Sequence, residues 1–154
     1  MTRGGFLLNN QLTDFSFEPA VGGRPVANRV EPGKRPRSSM APTIVYGPAG
    51  RVAFVVGSPG GSAIINYVAK AIVAAIDWRL DPQAAVALPN FGSRNGPTEL
   101  EQGTSVAGLA DRLRALGHDV SVLPLVSGAG AIARTRDGWA GGADPRREGA
   151  VRGE

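Results

Sequence analysis

The sequence predicts an α+β fold, and three stretches carry that prediction. Residues 52–56, Val-Ala-Phe-Val-Val, are β-branched and aromatic apart from one alanine and are bounded by Gly50 and Gly57, which favours extended backbone. Gly57-Ser58-Pro59-Gly60-Gly61-Ser62 then reads as a turn, after which Ile64, Val68, Ile72 and Ile76 recur at the spacing of one helix face within residues 63–78. Farther on, Asp119-Val120-Ser121-Val122-Leu123 alternates as a strand does, and residues 131–135 read as another. Gly60 and Gly61 have no side chains to cover their amides, and the first amides of a helix have no partner within it. The turn is therefore expected to offer donors to an anion, either a phosphate or a transient oxyanion.

Taken in order, the chain opens with an extended apolar segment at residues 5–8, followed by four polar side chains, Asn9, Asn10, Gln11 and Asp14. From residue 15 to residue 36 the composition turns to Pro, Gly and Arg without a period, which predicts a long irregular loop with no helix. Residues 42–46 read as a strand, and turn chemistry in Gly47-Pro48-Ala49-Gly50 predicts that it pairs antiparallel with residues 51–56. Asp81-Pro82 offers an N-cap with Pro at the first helical position, starting a short helix that Pro89 ends. Residues 90–96 are expected to be loop. A further helix is expected from Thr104 or Ser105 to Leu116, with Gly117 as its stop. The strand at 131–135 is expected to turn at Arg136-Asp137-Gly138 and return through Trp139-Ala140-Gly141, and the Arg- and Gly-rich tail, residues 146–154, to fray.

Composition bounds the function. With 154 residues, 42% hydrophobic and 19% charged, one globular domain spanning residues 1–154 is expected. No run of about 18 uncharged apolar residues is present, so no membrane span is expected. Zero Cys and a single His, His118, exclude disulfides and thiolate sites and leave little for a zinc site; neither a metal nor a cofactor is expected. A net charge of +4 raises nucleic acid as a partner. However, the basic residues collect in Lys34-Arg35-Pro36-Arg37 and Arg146-Arg147 without interleaved aromatics, which argues against a base-stacking platform.

Three clusters carry candidate chemistry: Asn9-Asn10-Gln11 with Asp14, Arg37-Ser38-Ser39-Met40, and the glycine turn at 57–62. A carboxylate suits an ammonium, and hydroxyl or amide donors suit a carboxylate, so these types can bind one end of an α-amino acid while the turn holds an oxyanion. Each cluster also has a plain structural reading. Gln11 and Asp14 can cap a turn, Ser38 and Ser39 can bond nearby backbone, and Gly60 and Gly61 can serve only to turn the chain. His118, after a helix-ending Gly, reads as a surface residue, and Arg37, Arg146 and Arg147 read as solvated or paired.

The order and wording of these clusters resemble the γ-glutamyltranspeptidase family. The resemblance rests on Leu7-Leu8-Asn9-Asn10-Gln11-Leu12-Thr13-Asp14-Phe15, on residues 28–45 around Pro36-Arg37-Ser38-Ser39-Met40-Ala41-Pro42-Thr43, on residues 57–62, and on Gly142-Ala143-Asp144-Pro145-Arg146 near the end. It implies an N-terminal-nucleophile hydrolase with an αββα sandwich, of which this chain is the later part of the small subunit. It further implies autocatalytic cleavage and a new N-terminal Thr that attacks the γ-glutamyl carbonyl of glutathione and related amides, passing the acyl group to water or an amine. By the same resemblance Gln11 and Asp14 hold the glutamyl α-amino group, Ser38 and Ser39 its α-carboxylate, and Gly60 and Gly61 the oxyanion.

Thr13 stands where the family commonly has a second acidic residue. The nucleophilic Thr, the large subunit and its carboxylate-binding Arg are expected to lie upstream of Met1, so that partner polypeptides would have to supply them. Thr2 is chemically competent as an N-terminal nucleophile but is too close to the Asn9-Asn10-Gln11 motif. A sandwich half without its neighbours is expected to expose sheet edges and an apolar face. Family members are typically periplasmic or extracellular. Three other readings stay open: a glutaryl amidase, a glutamate-binding remnant without turnover, and a phosphate-binding α/β domain. The last lacks both a Lys at the phosphate-loop position and a Gly-x-Gly-x-x-Gly pattern.

Overall fold

The run Val52–Gly57 is the strand around which the fold assembles. In the computed structural model, which describes residues 2–153, the chain divides into two compact units, Met1–Ser38 and Ser39–Glu154.

The first unit is built from tight turns. Strands β1 (Thr2–Arg3) and β2 (Phe6–Leu7) pair antiparallel across Gly4 and Gly5, whose φ values of 69° and 81° suit a two-residue hairpin turn. A 3₁₀ turn, Gln11–Asp14, follows. The stretch expected to be irregular contains no helix but does hold a second small hairpin, β3 (Ala20–Val21) with β4 (Arg24–Pro25), turning at Gly22 and Gly23 with φ of 56° and 75°. Among the described residues of this unit, Phe15 is the buried apolar side chain. The Thr2 side chain, the candidate alternative nucleophile, lies outside the described residues.

In the second unit β5 (Thr43–Tyr46) and β6 (Val52–Gly57) form the expected antiparallel hairpin, closed by a bond from the Gly50 amide to the Gly47 carbonyl at 2.9 Å. A short 3₁₀ turn at Gly61–Ala63 leads into α1 (Ile64–Ile76). Helix α2 (Pro82–Ala87) starts as read, with Asp81 Oδ1 accepting from the Ala84 amide at 2.9 Å and Pro82 in the first turn. The segment expected to be loop contains β7 (Phe91–Gly92), which pairs with β8 (Thr98–Glu101). The expected helix after Thr104 is divided, a 3₁₀ segment Ser105–Leu109 running into α3 (Ala110–Ala115), and Gly117 ends it with φ of 91°. Strand β9 (Val120–Leu123) lies parallel to β8. Finally β10 (Gly130–Arg134) and β11 (Trp139–Ala143) form the last hairpin.

The main sheet has the order β11-β10-β6-β5, antiparallel throughout, beside a three-stranded sheet β7-β8-β9. Strand period sorts the main sheet into two faces. Phe54, Val56 and Ala131 pack against Ile64, Val68, Ala71 and Val86 of α1 and α2. The cross-strand row Ile44, Val55, Ile132 points the other way, and Ile44 and Ile132 are 53% and 49% exposed. One layer of helices on one sheet is thus half of a four-layer sandwich.

Candidate functional site

In the first unit a side chain that the sequence reading passed over joins two of the three clusters. Asn28 Nδ2 donates to the Asp14 carbonyl at 2.7 Å, and Asn28 Oδ1 accepts from the Arg37 amide at 2.9 Å. The Gln11–Asp14 turn is thereby tied to the residue before Ser38. The turn itself is closed by Asn9 and Asn10, with Asn9 Oδ1 accepting from the Gln11 amide at 3.1 Å and the Asn10 carbonyl accepting from Thr13 Oγ1 at 2.8 Å. These local bonds use the neighbours of Asp14 and leave its carboxylate, on an exposed residue, facing solvent. Ser38 is exposed and Ser39 half-buried.

In the second unit Gly60 and Gly61 make the corner between β6 and α1, with φ of 142° and 57°. Gly60 is tightly backed, since a Cβ there would stand 2.6 Å from Cε2 of the buried Tyr67. Ser58 pins the outer side of the corner, its hydroxyl donating to the Pro59 carbonyl at 2.7 Å and accepting from the Gly128 amide at 3.3 Å. The Gly60 carbonyl accepts from the Ala63 amide at 3.2 Å. Among the described residues, neither the Gly60 nor the Gly61 amide donates a hydrogen bond. Two such N–H groups, in the 3₁₀ turn that leads into the 13-residue α1, are suited to hold developing negative charge. A cavity of about 580 Å³ lies elsewhere in this unit, lined by Val55, Ile132 and residues 149–152 but not by Gly60 or Gly61.

Behind the corner runs a buried polar network that no local sequence signal marks. Lys70 Nζ donates to Asn90 Oδ1 at 2.8 Å and to the Leu88 carbonyl, while Asn90 Nδ2 donates to Ser127 Oγ at 2.8 Å and to the Leu125 carbonyl at 2.9 Å. Ser127 Oγ donates to Asp144. Arg146 joins Asp144 at 2.9 Å and grips Glu101 through Nε and through Nη2, the latter at 2.7 Å. Arg146 opens the tail segment for which the sequence predicts fraying, yet its side chain is 14% exposed and paired on two sides. Burial acts against the Asp144 carboxylate, but hydrogen bonds from Ser127, Arg146 and the Ala129 amide outweigh it and hold the pKa below the usual carboxylate range. Lys70 is pushed down to about 8, chiefly by burial and then by the nearby Arg146 charge. The network connects α1, the residue before β7, the end of β8, the segment before β10 and the tail. Through Ser127 it also fixes the Gly128 amide against Ser58.

The described residues contain no cluster of His, Cys, Asp or Glu able to hold a metal ion, and no helix long and apolar enough to cross a membrane. His118 is exposed.

The gamma-glutamyltranspeptidase family model matches residues 1–154. The chain is 42% identical over 152 residues to the glutathione hydrolase proenzyme of Escherichia coli (strain K12), covering 92% of this chain and 26% of that protein. It is 39% identical over 140 residues to the acylase ACY 1 proenzyme of Pseudomonas sp. (strain SE83), covering 90% of this chain and 24% of that one. A crystal structure of a gamma-glutamyltranspeptidase mutant from Helicobacter pylori aligns with a TM-score of 0.78 at 37% identity, over 94% of this chain and 83% of that chain. The chain spans about a quarter of the length of the curated relatives it matches. With a family match along its whole length and the α+β half-sandwich of those structures, this chain belongs to the γ-glutamyltranspeptidase family.

Proposed function

We propose that this chain provides the glutamyl-binding groups and the oxyanion hole for hydrolysis or transfer of γ-glutamyl groups from glutathione and related amides. The observation that carries the reading is the corner at Gly60 and Gly61, whose two amides donate to nothing among the described residues. In the reaction a threonine hydroxyl, supplied from outside residues 1–154, adds to the γ-glutamyl carbonyl. The carbonyl oxygen takes the negative charge, and the two amides stabilise it; removing one such donor costs about 2.7–4 kcal/mol of transition-state stabilisation in well-studied hydrolases. Collapse of the intermediate expels the amine and leaves a glutamyl ester, which water or a second amine resolves. Gln11 and Asp14 take the glutamyl ammonium, for which an exposed carboxylate is the natural acceptor, and Ser38 and Ser39 donate to its α-carboxylate.

The similarity to the Pseudomonas acylase keeps open a second reading, that of an amidase acting on acyl groups such as glutaryl that lack an α-amine. Asp14 favours the glutamyl reading, because a carboxylate facing an acyl chain with no cation would be left unpaired on binding.

The test is hydrolysis of γ-glutamyl 4-nitroanilide and of glutaryl 4-nitroanilide by this chain, alone and mixed with the preceding part of a family member expressed separately. Cleavage of the glutamyl substrate in the mixture, with Asp14→Asn lowering kcat/KM by about tenfold or more, supports the reading. Preference for the glutaryl substrate would establish the amidase instead, and no cleavage of either by a folded mixture would overturn both.

A further inference from the structure

The loop between β7 and β8 brings a cation to the glycine corner. Arg94 Nη1 donates to Ser62 Oγ at 2.6 Å, and Nη2 pairs with Glu99 of β8. The loop is locally built to do so, with Ser93 Oγ bonding the Gly96 carbonyl at 2.9 Å and Asn95 in the left-handed region at φ 62°. Ser62 directly follows Gly61, so the guanidinium reaches a side chain one residue from the candidate oxyanion amides. Arg94 is nevertheless 45% exposed along its side chain, and a guanidinium carries five N–H donors, of which these two contacts use two. Glu99, at 14% exposed, faces inward and orients the fork. The other three N–H donors of this partly exposed side chain are left for a ligand, and the nearby start of α1 adds further positive potential.

We propose that Arg94 is a specificity-determining residue that recognises a carboxylate on the amine half of the substrate, the half that leaves as the acyl group forms or enters to accept it. This inference rests on the proposed γ-glutamyl acyl transfer. In that reaction the acyl half has its own carboxylate assigned to Ser38 and Ser39, so a cation beside the carbonyl-binding amides serves the other half. An amino acid or dipeptide with a free C-terminus has the planar, two-oxygen group that a guanidinium pairs with best.

The test uses the whole chain, labelled with ¹⁵N, titrated with glycylglycine and with glycylglycinamide, which lacks the carboxylate. Glycylglycine is expected to shift the Arg94 Nε–H resonance saturably, at an affinity about tenfold or more above that of the amide, and Arg94→Gln to abolish the difference while leaving the rest of the spectrum in place. Equal affinities for the two dipeptides, or an unchanged difference in Arg94→Gln, would overturn the proposal. In the complemented enzyme, preference for γ-glutamyl 3-carboxy-4-nitroanilide over the plain anilide should fall by about tenfold in Arg94→Gln, and an unchanged preference would count equally against it. Carboxylate-dependent binding without cleavage of either anilide would remove the acyl-transfer reading and leave Arg94 as a carboxylate-binding group.

Discussion

Gly60 and Gly61 are adjacent and alike in sequence, yet they answer to different constraints. A Cβ on Gly61 meets nothing within 4 Å, so Gly61→Ala carries only the cost of a left-handed residue at φ 57°, about 1–2 kcal/mol, and keeps its amide. A Cβ on Gly60 strikes the Tyr67 ring, which is itself buried in the apolar cluster with Ala63 and Leu125. Gly60→Ala is therefore expected to destabilise by more than Gly61→Ala, and to displace the corner from the helix. Urea denaturation of the two variants checks this; equal midpoints would show that the Tyr67 contact imposes no constraint. The need for glycines at this corner was legible, because a strand-to-helix turn with Gly-Gly has few other uses. The different burdens of the two were not, because Tyr67 approaches Gly60 through the packing of α1 rather than through the order of residues.

Among the elements, those whose signals are local came out as read. The β5–β6 hairpin, α1 and α2 each have their start or stop written in neighbouring residues, and α2 shows it most directly. Asp81→Ala removes the bond to the Ala84 amide and is expected to cost about 1 kcal/mol, lowering Tm by about 2–4 °C, while Asp81→Asn keeps a capping acceptor and should cost less. Thermal unfolding of the two variants checks it, and identical losses would mean that the cap bond contributes nothing. The misread elements are those whose partners are distant. Residues 90–96 carry Gly and Pro at their flanks and look like loop, but Phe91–Gly92 becomes a strand because Thr98–Glu101 lies beside it, held in turn by parallel pairing with Val120–Leu123. Two hairpins had a local Gly-Gly signal that went unread, the one turning at Gly4-Gly5, where residues 5–8 read as one extended segment, and the one at Gly22-Gly23 within the supposed irregular loop.

Across the second unit, cohesion depends on the buried polar network as well as on the apolar core. Its Arg146 pairs are nearly enclosed, and removing one partner of such a pair leaves a buried charge, typically at a cost of about 3–5 kcal/mol. Lys70 gives the network a pH signature. Its folded pKa of about 8 lies below the ordinary 10.5, so between those values the unfolded chain holds a proton that the folded chain does not. Folding stability should therefore rise with pH from about 8 toward 10 on account of this group, by up to about 3 kcal/mol in full. Tyr67, whose pKa is raised first by burial and then by Glu101 and Glu99, acts in the opposite sense above about pH 10. Urea midpoints measured at pH 7.5, 8.5 and 9.5 should climb for the wild-type chain and climb less for Lys70→Met. Parallel pH profiles for the two would show that Lys70 is not the source.

The sequence by itself determined the class of the fold and the family, because both are written in short contiguous runs whose chemistry does not depend on distant partners. The tertiary structure alone decided what surrounds those runs. It set Asn28 between the Asp14 turn and Arg37, Tyr67 behind Gly60, Arg94 against Ser62, and the Lys70–Asn90–Ser127–Asp144–Arg146 network behind the corner. Each of these contacts joins residues between 7 and 37 positions apart in the chain, except the Asp144–Arg146 pair, which spans 2. Hydrophobic periodicity and turn chemistry report on spacings of two to about four residues, so partners brought together by sheet pairing and helix packing leave no mark in them.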